Sequence, residues 1–96
     1  SPAVRARAAR GALEGWARVG RNPALLAAVI PVLAQGVSVA PNDDRAWWRL
    51  ASARELAGDL VGAVEAYERQ CALDPFAAAS RQALARLRSR LAKPVR

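Results

Sequence analysis

Two prolines, Pro41 and Pro75, lie 34 residues apart, and each follows an apolar segment with helical spacing. The stretch 44–75 contains two amphipathic segments separated by Gly58 and Asp59, a pair that ends one helix and caps the next. Equivalent helix-ending residues at a period of about 20 to 50 residues are typical of stacked helical hairpins. The chain is therefore expected to form hairpins that bury their apolar faces against one another.

Alanine supplies much of the apolar content, since hydrophobic residues make up 53% of the 96 positions but aromatic residues only 5%. Alanine has the highest helix propensity and a small side chain, so composition and pattern together predict an all-α fold of closely packed helices. The length fits one domain, residues 1–96. No methionine is present, and we expect the chain to be processed or part of a longer protein.

Capping residues divide the chain into five predicted helices. Ser1-Pro2 and Asn22-Pro23 each combine an N-cap with a proline in the first turn. Asp59 caps the fourth helix, and Asp74-Pro75 is expected to cap the fifth. The five predicted helices are residues 3–19, 23–39, 44–57, 60–73 and a last helix from Asp74-Pro75 to Ala92, before Pro94.

The second predicted helix, residues 23–39, has no charged residue. A membrane span needs about 20 strongly apolar residues, whereas this run holds Pro31, Gln35, Gly36 and Ser38. A signal-peptide core is disfavoured because an amphipathic helix precedes it. The favoured interpretation is a buried helix packed on both sides and kinked at Pro31.

The central unit resembles the tetratricopeptide repeat, a 34-residue helix-turn-helix. The resemblance is carried by residues at matching spacings, namely Trp47, Leu50, Ala51, Ala63, Tyr67 and Pro75. The unit departs from the family at Arg54, where an aromatic residue is common, and at Gln70, where a small one is usual. The resemblance implies a short solenoid of antiparallel hairpins, with a degenerate repeat at 10–43, a clear repeat at 44–77 and a C-terminal capping helix at 78–93.

Catalytic, cofactor and metal chemistry find little support in the residues. The chain has no histidine, and Cys71 is its single cysteine, which excludes an internal disulfide and a cysteine-based metal site. The serines have no base to activate them, and Asp43-Asp44 is better explained as a helix cap than as an acid/base pair. We therefore expect a non-catalytic protein without cofactor or metal.

The resemblance implies that the first helix of each hairpin lines a concave groove for a peptide or a partner helix. Trp48 is the informative residue, because Trp47 takes the packing position and neighbouring residues on a helix point about 100° apart. Trp48 then either packs elsewhere or serves as an exposed anchor. Its arginine neighbours favour an acidic segment or a C-terminal carboxylate. The predicted partner-binding residues are Arg45, Trp48, Arg49, Ser52, Gln82 and Arg86, with Glu14, Arg18, Glu55 and Ser89 also expected in the groove.

The charge pattern leaves other functions open. The net charge is +7, and residues 76–96 contain six basic and no acidic side chains, as in a basic helical nucleic-acid-binding domain. The basic ends and the apolar helix 23–39 would also fit a membrane-proximal anchor, and that helix could mediate self-association. The preference for Arg and Ala suggests a GC-rich bacterium, with the cytoplasm or periplasm as the expected compartment.

Overall fold

The computed structural model describes residues 21–93, which form four α-helices and contain no β-strand. The helices are α1 (Pro23–Val39), α2 (Asp44–Leu56), α3 (Leu60–Leu73) and α4 (Ala78–Ala92). The all-α prediction is confirmed for this part of the chain. The predicted helix at 3–19, with Glu14 and Arg18, lies outside the described residues.

Side-chain caps begin the first three helices as expected. Asn22 Oδ1 accepts from the Leu25 N–H at 3.1 Å, and Asp59 Oδ1 accepts from the Gly62 N–H at 2.9 Å. Gly58, between α2 and α3, has a φ of 85°, a conformation that a residue with a Cβ adopts only at a cost. The α2–α3 turn therefore follows directly from the local sequence.

The start of α4 corrects one prediction. Asp74 was expected to cap this helix, but Asp74 Oδ1 accepts from the Phe76 N–H at 3.0 Å, and the helix begins only at Ala78. Its N-cap position is Ala77, which makes no side-chain hydrogen bond. Asp74 instead closes a short local turn, which moves the helix start a few residues downstream.

Successive helices pack against each other, α1 on α2, α2 on α3 and α3 on α4. Three fully buried alanines, Ala51, Ala63 and Ala66, lie in the core, where their small side chains let α2 and α3 approach closely. The larger core residues Leu50 and Leu87 are also buried, and each contributes about 1.5–3 kcal/mol through removal of apolar surface from water. Cys71 packs against this core as expected.

Helix α1 is packed on one face, not on both. Leu26 and Val37 are buried, whereas Leu25, Val32 and Val39 are exposed, Val32 at 69%. The exposed residues recur at a spacing of seven, so they form one stripe along the helix. The helix is continuous through Pro31. No helix within residues 21–93 is long and apolar enough to cross a membrane.

Both departures from the repeat pattern have hydrogen-bond partners. The guanidinium of Arg54 donates from Nη1 to the Gly62 carbonyl at 3.1 Å, which joins the end of α2 to the start of α3. The Gln70 Oε1 accepts from the Ser80 hydroxyl and joins α3 to α4. Polar side chains at these two positions therefore tie neighbouring helices together where the family uses apolar packing.

Candidate functional site

A cleft of about 460 Å³ lies where α2 faces the end of α3 and the start of α4. We call it the α2–α4 cleft. It combines an aromatic side chain, two arginines and the small residues of a helix N-terminus. Its lining consists of Arg45, Trp48 and Arg49 from α2, Gln70 and Asp74, and residues 77–80.

The two tryptophans on α2 have different surroundings. The Trp47 indole Nε1 donates to the Pro41 carbonyl at 2.7 Å, and the Arg69 guanidinium lies 5.8 Å from the Trp47 ring centroid. Trp48 is half-buried, packs against the hydrophobic core and also lines the α2–α4 cleft. Of the two sequence-based alternatives for Trp48, packing or exposure, the structure combines both. A partly supported indole is held in place and still offers a face to a ligand.

The two arginines of the cleft are one helical turn apart and exposed. Neither Arg45 nor Arg49 forms an ion pair with an acidic group in residues 21–93. The cleft also contains one carboxylate, Asp74, whose Oδ1 accepts from the Phe76 N–H. The lining therefore carries one net positive charge, and the electrostatic preference is for an anionic group.

Three of the predicted partner-binding residues do not line this cleft. Ser52 is only 9% exposed, and its hydroxyl oxygen lies 3.4 Å from that of Tyr67, so it is not presented on the surface as expected. Gln82 is exposed on α4 outside the cleft lining. Arg86 is paired with Glu55. Ser52 is buried because the helix face that carries it turns toward α3, a direction that only packing defines.

These displaced residues belong to a polar network that connects three helices. The Glu55 Oε1 accepts from the Tyr67 hydroxyl at 2.9 Å, and Glu55 Oε2 pairs with Arg86. Burial raises the pKa of Tyr67, and the hydrogen bond to Glu55 adds to the rise. The same hydrogen bond raises the pKa of Arg86. Glu55 and Arg86 therefore hold α2 and α4 together across the Tyr67 ring, which is a structural role.

Sequence reasoning missed the part of the cleft that comes from α3 and α4. The groove was expected on the first helices of the hairpins, whereas Gln70 and residues 77–80 complete it. A signal was present, because Gln70 breaks the repeat pattern and the run 77–79 is all alanine. Its meaning depended on the true start of α4.

A second cleft of about 630 Å³ lies between α1, α2 and α3. Acidic and basic side chains alternate at its edge, and Trp47 is its aromatic member. Its lining residues are Ala34, Val37, Trp47, Leu50, Arg54, Glu65, Glu68 and Arg69. The four charged side chains balance, so this cleft has no preference for the sign of a ligand's charge.

Comparison with known proteins assigns no family, since no protein-family model and no curated protein sequence matches this chain. Within the described residues, no cluster of three or more histidine, cysteine, aspartate or glutamate side chains has the geometry of a metal site.

Proposed function

We propose that this chain is a non-catalytic protein-interaction module of the tetratricopeptide type. It binds a peptide segment or a partner helix in the α2–α4 cleft. The observation that carries the proposal is the half-buried Trp48, which lies in a cleft beside two arginines that have no ion-pair partner in the described part of the chain.

The solenoid arrangement is supported by the order of packing. Each described helix packs on the next one along the chain, as expected for stacked hairpins. The small residues Ala51 and Ala63 are buried in the core, at positions where the repeat pattern calls for close approach. Helix α4 has exposed arginines on its outer face, as a terminal capping helix requires.

The binding role is supported by the character of the cleft. A volume of about 460 Å³ falls in the range of about 300–1,000 Å³ that is usual for ligand pockets, and it fits one or two side chains. Tryptophan and arginine are the residues most often found at energetic hot spots of interfaces. A scaffold or adaptor function follows from this combination more readily than catalysis, for which no activated nucleophile or acid/base pair is visible in residues 21–93.

The test is a peptide selection against the purified chain, followed by fluorescence anisotropy of the best ligand. Trp48→Ala is expected to weaken binding by about thirtyfold, as for a hot-spot residue. The matched control is Phe76→Ala, because Phe76 is 88% exposed and is not part of the cleft lining. This variant is expected to bind within about twofold of the wild type.

Circular dichroism of each variant separates lost binding from lost fold. Equal affinity of Trp48→Ala and wild type, with helicity retained in both, would show that the cleft is not the binding site. If the selection returns no saturable peptide and the chain binds only nucleic acid in a salt-sensitive manner, the basic residues are the functional element instead.

A further inference from the structure

The N-terminus of α4 opens into the α2–α4 cleft without an internal cap. Asparagine or aspartate side chains cap the other three described helices, whereas the cap position of α4 is Ala77. Within residues 21–93, the backbone N–H groups of Ala78, Ala79 and Ser80 have no hydrogen-bond acceptor, and the first turn of α4 has no acidic residue. These groups carry the positive end of the helix dipole. An acceptor from outside the described chain can therefore bind there.

The side chain of Gln70 independently indicates a ligand at the same place. Gln70 is only 7% exposed and lines the cleft. Its Oε1 accepts from Ser80, while its Nε2 has no acceptor among residues 21–93. No fully buried side-chain nitrogen or oxygen in the described part lacks a partner, so this Nε2 must reach the surface. The surface that Gln70 borders is the cleft, and a nearly buried amide donor aimed there calls for an acceptor.

The charge around these donors selects the kind of acceptor. Arg45 and Arg49 stand on the opposite wall of the cleft without ion-pair partners in the described residues. Asp74 is the one carboxylate in the lining, and its Oδ1 is engaged by the Phe76 N–H. A carboxylate accepts from several N–H groups at once and gains from the arginines nearby, whereas a neutral acceptor gains only the hydrogen bonds.

On the basis of the function proposed above, we infer that the N-terminus of α4 and the Gln70 amide form a subsite for a carboxylate of the bound peptide. The backbone N–H groups of Ala78, Ala79 and Ser80 and the Gln70 Nε2 donate to the carboxylate oxygens. Arg45 and Arg49 attract the same group from across the cleft. Trp48 packs against the neighbouring apolar part of the peptide.

The first experiment tests the subsite without any peptide. In ¹H–¹⁵N spectra, sodium acetate is expected to shift the amide signals of Ala78, Ala79 and Ser80 and the side-chain amide of Gln70, whereas sodium chloride at equal ionic strength does not. Equal shifts with both salts would overturn the subsite. A response to inorganic phosphate at far lower concentration than to acetate would overturn the carboxylate assignment.

The second experiment supplies the missing cap from within. Ala77→Asp places a carboxylate at the cap position, so the variant is expected to raise the thermal midpoint and to weaken binding of the selected peptide by at least about tenfold. The control is Ala85→Asp, which adds the same charge to an exposed position on α4 outside the cleft and is expected to change the affinity by less than about twofold.

The outcomes distinguish the subsite from the proposed function. If Ala77→Asp and Ala85→Asp bind equally well while Trp48→Ala binds poorly, the peptide uses the cleft but not the helix N-terminus, and this inference is wrong. If no peptide binds the wild-type chain but acetate shifts the amides, the anion subsite stands and the peptide-binding function fails.

Discussion

Replacement of Tyr67 by phenylalanine removes a single hydroxyl from the centre of the polar network and keeps the ring that fills the core. The hydroxyl donates to Glu55 at 2.9 Å, and the Ser52 hydroxyl lies 3.4 Å away. We expect the free energy of unfolding to fall by about 2 kcal/mol. No cavity is created, so the change reports the hydrogen bond and not lost packing.

The magnitude follows from how each group is exposed. A hydrogen bond to a charged group is worth about 1.5–3 kcal/mol. Tyr67 is 4% exposed, but the Glu55 side chain is 22% exposed and is shared with a more exposed Arg86. Solvent therefore screens part of the interaction, which places the value in the lower half of the range. The Arg86–Glu55 ion pair itself adds only about 0–1 kcal/mol.

Urea unfolding followed by circular dichroism measures this effect at neutral pH, with Tyr67→Phe, Glu55→Ala and the double variant compared in a cycle. The coupling between the two substitutions is expected to be about 1.5 kcal/mol, and the dependence of stability on urea concentration should not change slope. Additive effects, with a coupling below about 0.5 kcal/mol, would refute the conclusion that Glu55 and Tyr67 stabilise each other.

The same hydroxyl predicts a pH dependence. Burial raises the pKa of Tyr67 above its ordinary value of 10.0, so the folded chain holds this proton more tightly than the unfolded chain. The resulting stability is fully present below pH 10 and is lost as the pH rises through the folded-state pKa. Tyr67 is the only tyrosine, so phenolate absorbance follows its ionisation directly. Ionisation at the same pH in the folded and urea-unfolded chain would contradict the effect of burial.

Two further predictions concern the backbone and the exposed face of α1. Gly58→Ala is expected to lose about 1–2 kcal/mol because φ is 85° there, whereas Gly36→Ala, in a helix with open space around the new methyl group, is expected to gain up to about 1 kcal/mol; thermal unfolding compares them, and equal signs would refute the assignment. Val32→Lys is expected to reduce concentration-dependent self-association in sedimentation experiments, while Val61→Lys, at a similarly exposed site on α3, leaves it unchanged. Identical sedimentation of both variants would show that the α1 stripe is not a contact surface.

Much of the fold could be predicted because its signals are local. The bounds of α1 and α3 follow from Asn22-Pro23 and from Asp59, since a capping side chain and the N–H it satisfies lie within three residues of each other. The start of α4 was placed too early because Asp74 had two local options, a turn and a helix cap, and the sequence pattern does not rank them.

The candidate site was predicted in part. Arg45, Trp48 and Arg49 share one helix face, so their common surface could be predicted from helical periodicity alone. Ser52 and Arg86 were assigned to the same groove by spacing, but the structure commits them to Tyr67 and Glu55. Sequence spacing says which residues share a face, and it does not say which neighbouring helix that face meets.

The sequence by itself determined the helical class, the hairpin turn at Gly58 and the close packing of alanines, because backbone propensity and capping act over a few residues. Only the tertiary structure decided the site. The α2–α4 cleft brings Trp48 to the uncapped start of α4, about 30 residues further along the chain. It also assigned Arg54 and Gln70 their partners. Such contacts depend on how whole helices pack, and no local pattern encodes that arrangement.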